Sequence, residues 1–343
     1  MNSCKVAVIG ATGAVGQVFL QIAEERNFPI EEIRLCASER SVGKKLNFKG
    51  KEIEVELCTP ALLDEVDFSF ISASGDVSRE IAPLSAKHGT VAIDDSSAFR
   101  MTDTVPLVVP EVNAEDLNNH KGIVSIPNCS TTPLVMVLKP LLGQAKIKRV
   151  VVDTFQSVTG TGSAALEEMR SQSSEVLAGK KAKAKEYPHQ IAFNVLPHIE
   201  PFLENGYTNE EMKMLNETRK ILHDPEVMVS ATCVRVPVAV SHSEAIHLEF
   251  DKPVDPETVR DILGAQPGIR VVDDPFSNVY PMPIEAAGTD DVLVGRIRRD
   301  ISNPNGIALW VVCDNLRKGA ALNAIQIAEE MMQRDLVSES SWR

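Results

Sequence analysis

Short apolar runs and amphipathic stretches alternate through about the first 95 residues. Residues 5–10 (KVAVIG) form an apolar run ending in glycine, and 14–26 follow with Val15, Val18, Phe19 and Ile22 recurring on one helical face. Residues 33–38, 51–58 and 67–73 read as further strands. The stretch 77–88 reads as a helix and 90–96 as the next strand. Strands alternating with helices imply right-handed crossovers and a parallel, doubly wound sheet of the Rossmann type.

The pattern changes near Cys129. Residues 133–142 (PLVMVLKPLL) read as a helix that tolerates Pro133 in its first turn. Longer, more alternating strand candidates follow in near-succession at 149–160, 228–238, 244–250, 292–302 and 307–315. They predict a largely antiparallel sheet with one face packed on helices. The segment 316–334 is strongly helical. The expected fold is therefore α/β: a Rossmann-type domain over 1–128, completed by a C-terminal helix within 316–343, and an α+β domain over 129–315. No low-complexity linker and no internal repeat separates them, so the two domains are expected in tight contact with a cleft between them.

Composition narrows the function classes. A formal net charge of −13 leaves no basic stripe to replace phosphate counterions, which excludes a nucleic-acid partner. The one basic stretch, residues 179–186, reads as a solvated loop. No apolar run reaches the roughly 18 residues of a membrane span, and no signal-peptide pattern opens the chain, so it reads as cytoplasmic. The six cysteines (Cys4, Cys36, Cys58, Cys129, Cys233, Cys313) lie far apart, in neither a zinc-binding nor a disulfide-scaffold spacing, and no metal site is expected.

Glycines recur as G-x-x-G-x-x-G in residues 10–16, directly after a strand and directly before a helix. That context lets the backbone approach a pyrophosphate at Gly10, Thr12 and Gly13, while the first helical N–H groups at Ala14 and Val15 attract its charge. The plain alternative is a tight turn with no ligand. At the end of the second strand an NAD site usually carries an acidic residue. Here the loop offers Ser38, Arg40 and Ser41, which suit a 2′-phosphate and favour NADP(H), although Glu39 could serve NAD if turned inward.

Cys129 stands between a strand and a helix, after Pro127-Asn128 and before Ser130, Thr131 and Thr132. Unpaired N–H groups at a helix start favour a thiolate and can hold an oxyanion. A buried N-terminal cysteine is the plain alternative, yet no other cysteine of the chain has this setting. These residues (GATGAVG at the start, PNCSTT around 129, and RVPV followed by HSE) together resemble the aspartate-semialdehyde dehydrogenase family. The resemblance runs from Val6 to about Ala328. It implies a Rossmann domain, an α+β catalytic and dimerisation domain, and reduction of an acyl phosphate by NADPH through a cysteine thioester.

Alternation places His242, Ile246, Leu248 and Phe250 on the inward face of one strand and His247 on the outer face with Ser243 and Glu249. A lone histidine on an apolar face is more often a core residue; the resemblance makes His242 the acid/base catalyst, partner to Cys129. Gln156, at a strand end, is implied to orient the acyl group. Thr159 and Gly160, otherwise an ordinary turn, are implied to lie near the cofactor, as is Asn315. The family more often has serine where Thr159 stands. Arg235 sits among apolar neighbours, where a guanidinium needs an anion, and the substrate α-carboxylate would supply it. The resemblance assigns Arg100 and Lys213 to the phosphate and Glu210 to the substrate amino group. Structural salt bridges are the alternative for the arginines, and a surface ion pair at i, i+3 for Glu210 and Lys213.

The implied partners are aspartyl phosphate, aspartate semialdehyde and inorganic phosphate, with a homodimer or a dimer of dimers as the assembly. Two rivals within enzymes are N-acetyl-glutamyl-phosphate reductase and, more distantly, phosphorylating glyceraldehyde-phosphate dehydrogenase. A non-catalytic dinucleotide-binding sensor is the rival from another class.

Overall fold

The computed structural model describes residues 3–338; residues 339–343 of the expected closing segment lie outside them. The chain forms two compact units, one of residues up to Asn128 together with those from Ala320 onward, the other Cys129–Gly319. The segment 316–319 thus stays with the second unit before the chain returns.

In the first unit a seven-stranded sheet is built from β1 (Cys4–Ile9), β2 (Ile30–Cys36), β3 (Lys45–Phe48), β4 (Lys51–Glu56), β5 (Phe68–Ile71), β6 (Val91–Asp94) and β7 (Ile123–Ser125). The strands lie in the order β3-β4-β2-β1-β5-β6-β7, all parallel apart from the β3–β4 hairpin. Helix α1 (Ala14–Glu25) buries Phe19, Ile22 and Ala23, and α2 (Gly75–Lys87) buries Ile81 and Ala82, so the sheet has an apolar core on each face. The strand order reverses on either side of β1. Ligands of such sheets bind at that point, beyond the carboxyl ends of the strands. Gly10 occupies it.

Two strands go beyond the expectation. The β3–β4 hairpin turns on Lys49 (φ 49°) and Gly50 (φ 75°), a two-residue turn with both central residues at positive φ. Lysine in the first of those positions is not a usual turn signal. β7 is too short to show alternation.

The second unit holds a six-stranded sheet in the order β11-β12-β13-β10-β8-β9, from β8 (Ile147–Gln156), β9 (Met228–Arg235), β10 (His242–Phe250), β11 (Ile269–Val271), β12 (Val292–Arg299) and β13 (Gly306–Cys313). Its centre is antiparallel, as expected, while β9 joins β8 and β11 joins β12 in parallel. One face carries the pairs Thr154–Glu244, Gln156–Arg235 and His242–Cys313, since residues directly opposite share a face. Helices α3 (Thr131–Leu141) and α5 (Asn209–Leu222) pack in this unit, α5 against β9, with α4 (Ser163–Leu177) and α6 (Pro256–Gly264) completing it.

The closing segment is not one α-helix. Arg317–Ala321 winds as a π-helical turn before α7 (Leu322–Gln333). Such turns concentrate at functional sites. No helix among the described residues is long and apolar enough to cross a membrane.

Candidate active site

Cys129 lies two residues ahead of α3, with Ser130 as the N-cap, and it is half-buried. Gly319 of the π-turn makes that placement possible, because a Cβ there would stand 3.0 Å from the Cys129 Cβ. Cys4, Cys233 and Cys313 are buried, and burial pushes their thiols up, Cys4 to about 12. Buried thiols of that kind are inert hydrophobes.

Gln156 ends β8 as expected and is a hub. Its Nε2 donates to Ser130 Oγ at 2.8 Å and to Glu210 Oε1 at 3.1 Å, with Thr154 Oγ1 at 3.3 Å. Glu210 and Lys213 do form the i, i+3 pair, Nζ to Oε2 at 3.1 Å, and Lys213 also meets Glu200 at 2.5 Å. The surface reading of that pair does not hold, because the Glu210 side chain is only 4% exposed and is tied to Gln156. A capping box from Thr208 and Glu211 sets the start of α5, and Glu211 Oε1 accepts from the Cys233 amide at 3.0 Å. The helix that carries Glu210 is thereby fastened to β9.

Residue 157, next in the chain after Gln156, holds the histidine. The Ser157 amide donates to His242 Nδ1 at 3.0 Å, and Ser157 Oγ lies 3.2 Å from the same nitrogen. An amide can only donate, so Nδ1 accepts and the ring hydrogen sits on Nε2. Burial, reinforced by the nearby Arg235 charge, pulls His242 down to about 3, so the ring is neutral. His242 Nε2 is buried with no hydrogen-bond partner. A satisfied core histidine is therefore not what stands here. His247 is on the outer face, half-exposed, and pairs with Asp300 at 3.1 Å.

Arg235 is 5% exposed. Its Nη1 donates to the Ser157 carbonyl at 2.7 Å, and its Nε has no partner. The bond found for this buried guanidinium is thus to a carbonyl, not to a carboxylate. Gly160 leaves room beside it: a Cβ at that position would fall 2.8 Å from Arg235 Nη1 and 3.3 Å from the His242 ring. Asn315 and Thr159 share this neighbourhood. Asn315 Oδ1 accepts from Ser157 Oγ at 3.0 Å and from the Ser241 amide at 2.9 Å, and its Nδ2 donates to Thr159 Oγ1 at 3.2 Å.

The second unit therefore gathers Cys129, Gln156, Thr159, Gly160, Glu210, Lys213, Arg235, His242 and Asn315. Ser157, Gly160 as a space-maker and Gly319 escape sequence reasoning about the site, since each matters through a contact with a residue far along the chain.

The remaining residues lie in the first unit. Gly10 (φ 89°) ends β1 so tightly that a Cβ would sit 2.0 Å from the Ser72 carbonyl oxygen. Gly13 caps α1, whose first residues are Ala14 and Val15, leaving their N–H groups at the helix start. Thr12 Oγ1 lies 3.4 Å from Ser41 Oγ, joining the glycine turn to the loop after β2. There Ser38 caps a 3₁₀ turn, Glu39–Ser41, and the side chains of Glu39 and Arg40 are exposed. Lys44 donates to Ser41 Oγ at 3.3 Å, a second cation at this loop that the sequence pattern does not single out. Turn, helix start and paired hydroxyls fit a dinucleotide with a 2′-phosphate. Arg100 is buried and donates to the Asp95 carbonyl at 2.8 Å.

The basic stretch folds back along α4: Gln172 donates to the Lys183 carbonyl and Glu168 accepts from the Lys185 and Glu186 amides. Its lysines are largely exposed. Among the described residues, no group of three or more His, Cys, Asp or Glu is placed to hold a metal ion.

Residues 5–120 match the family model "Semialdehyde dehydrogenase, NAD binding domain", and 138–318 match "Semialdehyde dehydrogenase, dimerisation domain". The chain is 53% identical over 337 residues to the aspartate-semialdehyde dehydrogenase of Aquifex aeolicus, covering 97% of this chain and 99% of that one. A crystal structure of aspartate semialdehyde dehydrogenase II from Vibrio cholerae complexed with ASA superposes with a TM-score of 0.94 at 45% identity, over 97% and 99% of the two chains. The enzyme with NADP from Candida albicans superposes at 0.77 with 29% identity, over 98% and 100%.

Proposed function

The chain belongs to the aspartate-semialdehyde dehydrogenase family, and on that footing we propose which of its residues carry each part of the reaction. The reaction is the NADPH-dependent reductive dephosphorylation of L-aspartyl-4-phosphate to L-aspartate 4-semialdehyde through a cysteine thioester, a step toward lysine, threonine, methionine and isoleucine.

Cys129 is the nucleophile: its thiolate attacks the acyl carbon, the C–O bond to phosphate breaks, and a thioester forms. Arg235 pairs with the substrate α-carboxylate through its spare N–H groups, and Glu210 takes the α-amino group. Gln156, held between Ser130 and Glu210, orients the acyl group relative to the sulfur. Arg100 and Lys213 hold the phosphate. His242, with hydrogen on Nε2 and Nδ1 engaged by the Ser157 amide, donates to the acyl oxygen as negative charge develops there. In that tautomer it is a donor and not a base toward Cys129. Bound NADPH supplies a hydride to the thioester carbon. Collapse of the resulting alkoxide then expels the Cys129 thiolate, and no proton is required at that step.

Gly10, Thr12, Gly13, Ala14 and Val15 hold the pyrophosphate, Ser38, Arg40 and Ser41 with Lys44 hold the 2′-phosphate, and Thr159, Gly160 and Asn315 shape the nicotinamide end. The protein acts in the cytoplasm as a dimer or a dimer of dimers.

One observation carries this reading. Hydrogen bonds run from Ser130 through Gln156 to Glu210, and from Ser157 to His242 and Arg235, so segments dispersed over more than a hundred residues converge where Cys129 begins its helix. Cys129→Ala should abolish turnover and leave NADPH binding intact. A variant that kept even about a tenth of wild-type turnover would lie within a factor of ten, or roughly 1.4 kcal/mol, of the native enzyme and would overturn the assignment.

A further inference from the structure

We propose that Cys36 and Cys58 form a redox-active pair, whose oxidation to a disulfide loosens the nucleotide-binding turn and weakens NADPH binding.

Cys36 is the last residue of β2, and its carbonyl accepts from the amides of Gly10 at 2.8 Å and Ala11 at 3.1 Å. The glycine turn therefore hangs on the backbone of this cysteine. In the parallel register Cys36 stands opposite Glu56, the end of β4, and the Ala37 amide donates to the Glu56 carbonyl at 3.1 Å. Two residues later comes Cys58. It packs on the same apolar cluster as Cys36, with Ile9, Leu62 and Ile71. The two thiols hydrogen-bond each other. Neighbouring strands run about 4.8 Å apart, within the roughly 4.4–6.8 Å between α-carbons that a disulfide spans.

The two sulfurs differ in a way that suits oxidation. Cys58 is half-buried and reachable from solvent, while Cys36 is fully buried. The hydrogen bond from Cys36 lowers the Cys58 thiol below its ordinary value, and the same contact together with burial raises Cys36. Cys58 is thus the attacking sulfur and Cys36 the resolving one.

The oxidant is hydrogen peroxide. The Cys58 thiolate, its proton given to solvent, attacks one peroxide oxygen. The O–O bond breaks, hydroxide leaves and recovers a proton as water, and Cys58 becomes a sulfenic acid. The Cys36 sulfur then attacks the Cys58 sulfur, the S–O bond breaks, and the hydroxyl leaves as water with the Cys36 proton. Two thiols and one peroxide give one disulfide and two waters; the sulfurs lose two electrons, which the peroxide gains.

An S–S bond of about 2.05 Å draws Cys36 toward the loop after β4. The glycine turn has no slack to absorb the shift, since Gly10 is already packed on the Ser72 carbonyl. The resulting loss in NADPH affinity is expected to be about tenfold, the ordinary size of coupling between linked sites.

The test uses full-length Cys129→Ala protein, so that the active-site sulfur does not contribute to the reading. Samples treated with hydrogen peroxide and untreated samples are digested without reductant for mass mapping, and NADPH affinity is measured by fluorescence titration. A peptide linked through Cys36 and Cys58, with an affinity loss of about tenfold that dithiothreitol reverses and that Cys58→Ser protein does not show, supports the proposal. It is overturned if both thiols stay reduced at a dose that fully oxidises Cys129 in the wild-type protein. It is equally overturned if the linked peptide forms and NADPH affinity does not change.

Discussion

Asn315 Oδ1 accepts from Ser157 Oγ and the Ser241 amide, and Ser157 in turn holds His242 Nδ1. Removing the amide of Asn315 frees Ser157 and Ser241, the residues that fix the histidine tautomer. Asn315→Ala should therefore lower kcat by about ten- to a hundredfold, the lower part of the range for a misplaced acid–base group. Its NADPH dissociation constant should stay within about twofold of wild type, as for a positioning residue acting through the histidine. Steady-state kinetics with a parallel NADPH titration checks this; equal losses in kcat and in affinity would move Asn315 to the cofactor instead. At this scale the sequence shows a residue when its chemistry depends on immediate neighbours. Cys129 stands out because hydroxyl residues and a helix start adjoin it, and Gly10 because a strand precedes it and a helix follows. Ser157 and Gly319 depend on partners about 85 and 190 positions away, and no local pattern encodes such a meeting. The Cys36–Cys58 contact is hidden for a related reason: which strands become neighbours decides it.

Strand β10 carries the alternation that predicts His242 inward and His247 outward, and the structure places them so. The same alternation puts Glu244 inward, beside Thr154 on the face that bears Gln156 and His242. Both of its carboxyl oxygens are buried without a hydrogen-bond partner, and burial raises its pKa well above the carboxylate range. Glu244 is therefore protonated in the folded chain at neutral pH and ionised in the unfolded one. The unfolded state binds fewer protons, so stability is lost as pH rises from about 4.3 toward the folded value, by roughly 1.4 kcal/mol per pH unit. Glu244→Gln keeps the shape and cannot ionise. Its melting temperature should exceed that of the wild type at pH 8, and the gap should close near pH 4, as read by scanning calorimetry. A gap of one size at both pH values would mean that Glu244 is not protonated when folded. Strands and helices of ordinary length were legible because each buries one face and so repeats a pattern. The β3–β4 hairpin and β7 were not: one turns on an unusual lysine, and the other has three residues.

Each of the two units holds a histidine that folding keeps neutral. Burial pulls His120 in the first unit down to about 4, and in the second burial, helped by Arg235, pulls His242 to about 3. His120 is fixed in place by the Gly122 amide donating to Nδ1 at 3.2 Å, and its Nε2 lies 3.0 Å from the Leu336 carbonyl. Histidines in the unfolded chain titrate near 6.5. The unfolded state therefore takes up protons first as the solution is acidified. The stabilisation is complete above about pH 6.5 and is lost as pH falls through the window down to about 4 for His120 and about 3 for His242, by roughly 1.4 kcal/mol per unit for each. This slope has the opposite sign to that of Glu244, so the two effects together place the stability maximum on the weakly acidic to neutral side. A single histidine is enough to test the argument. His120→Asn retains a polar side chain and removes the titration, so its melting temperature should fall less steeply between pH 6.5 and pH 4 than that of the wild type, even if it starts lower at pH 7. Calorimetric melts at four or five pH values across that window measure the slope. Parallel lines for the two proteins would show that His120 enters the unfolded state with its proton affinity unchanged, and the buried neutral imidazole would then play no part in acid unfolding.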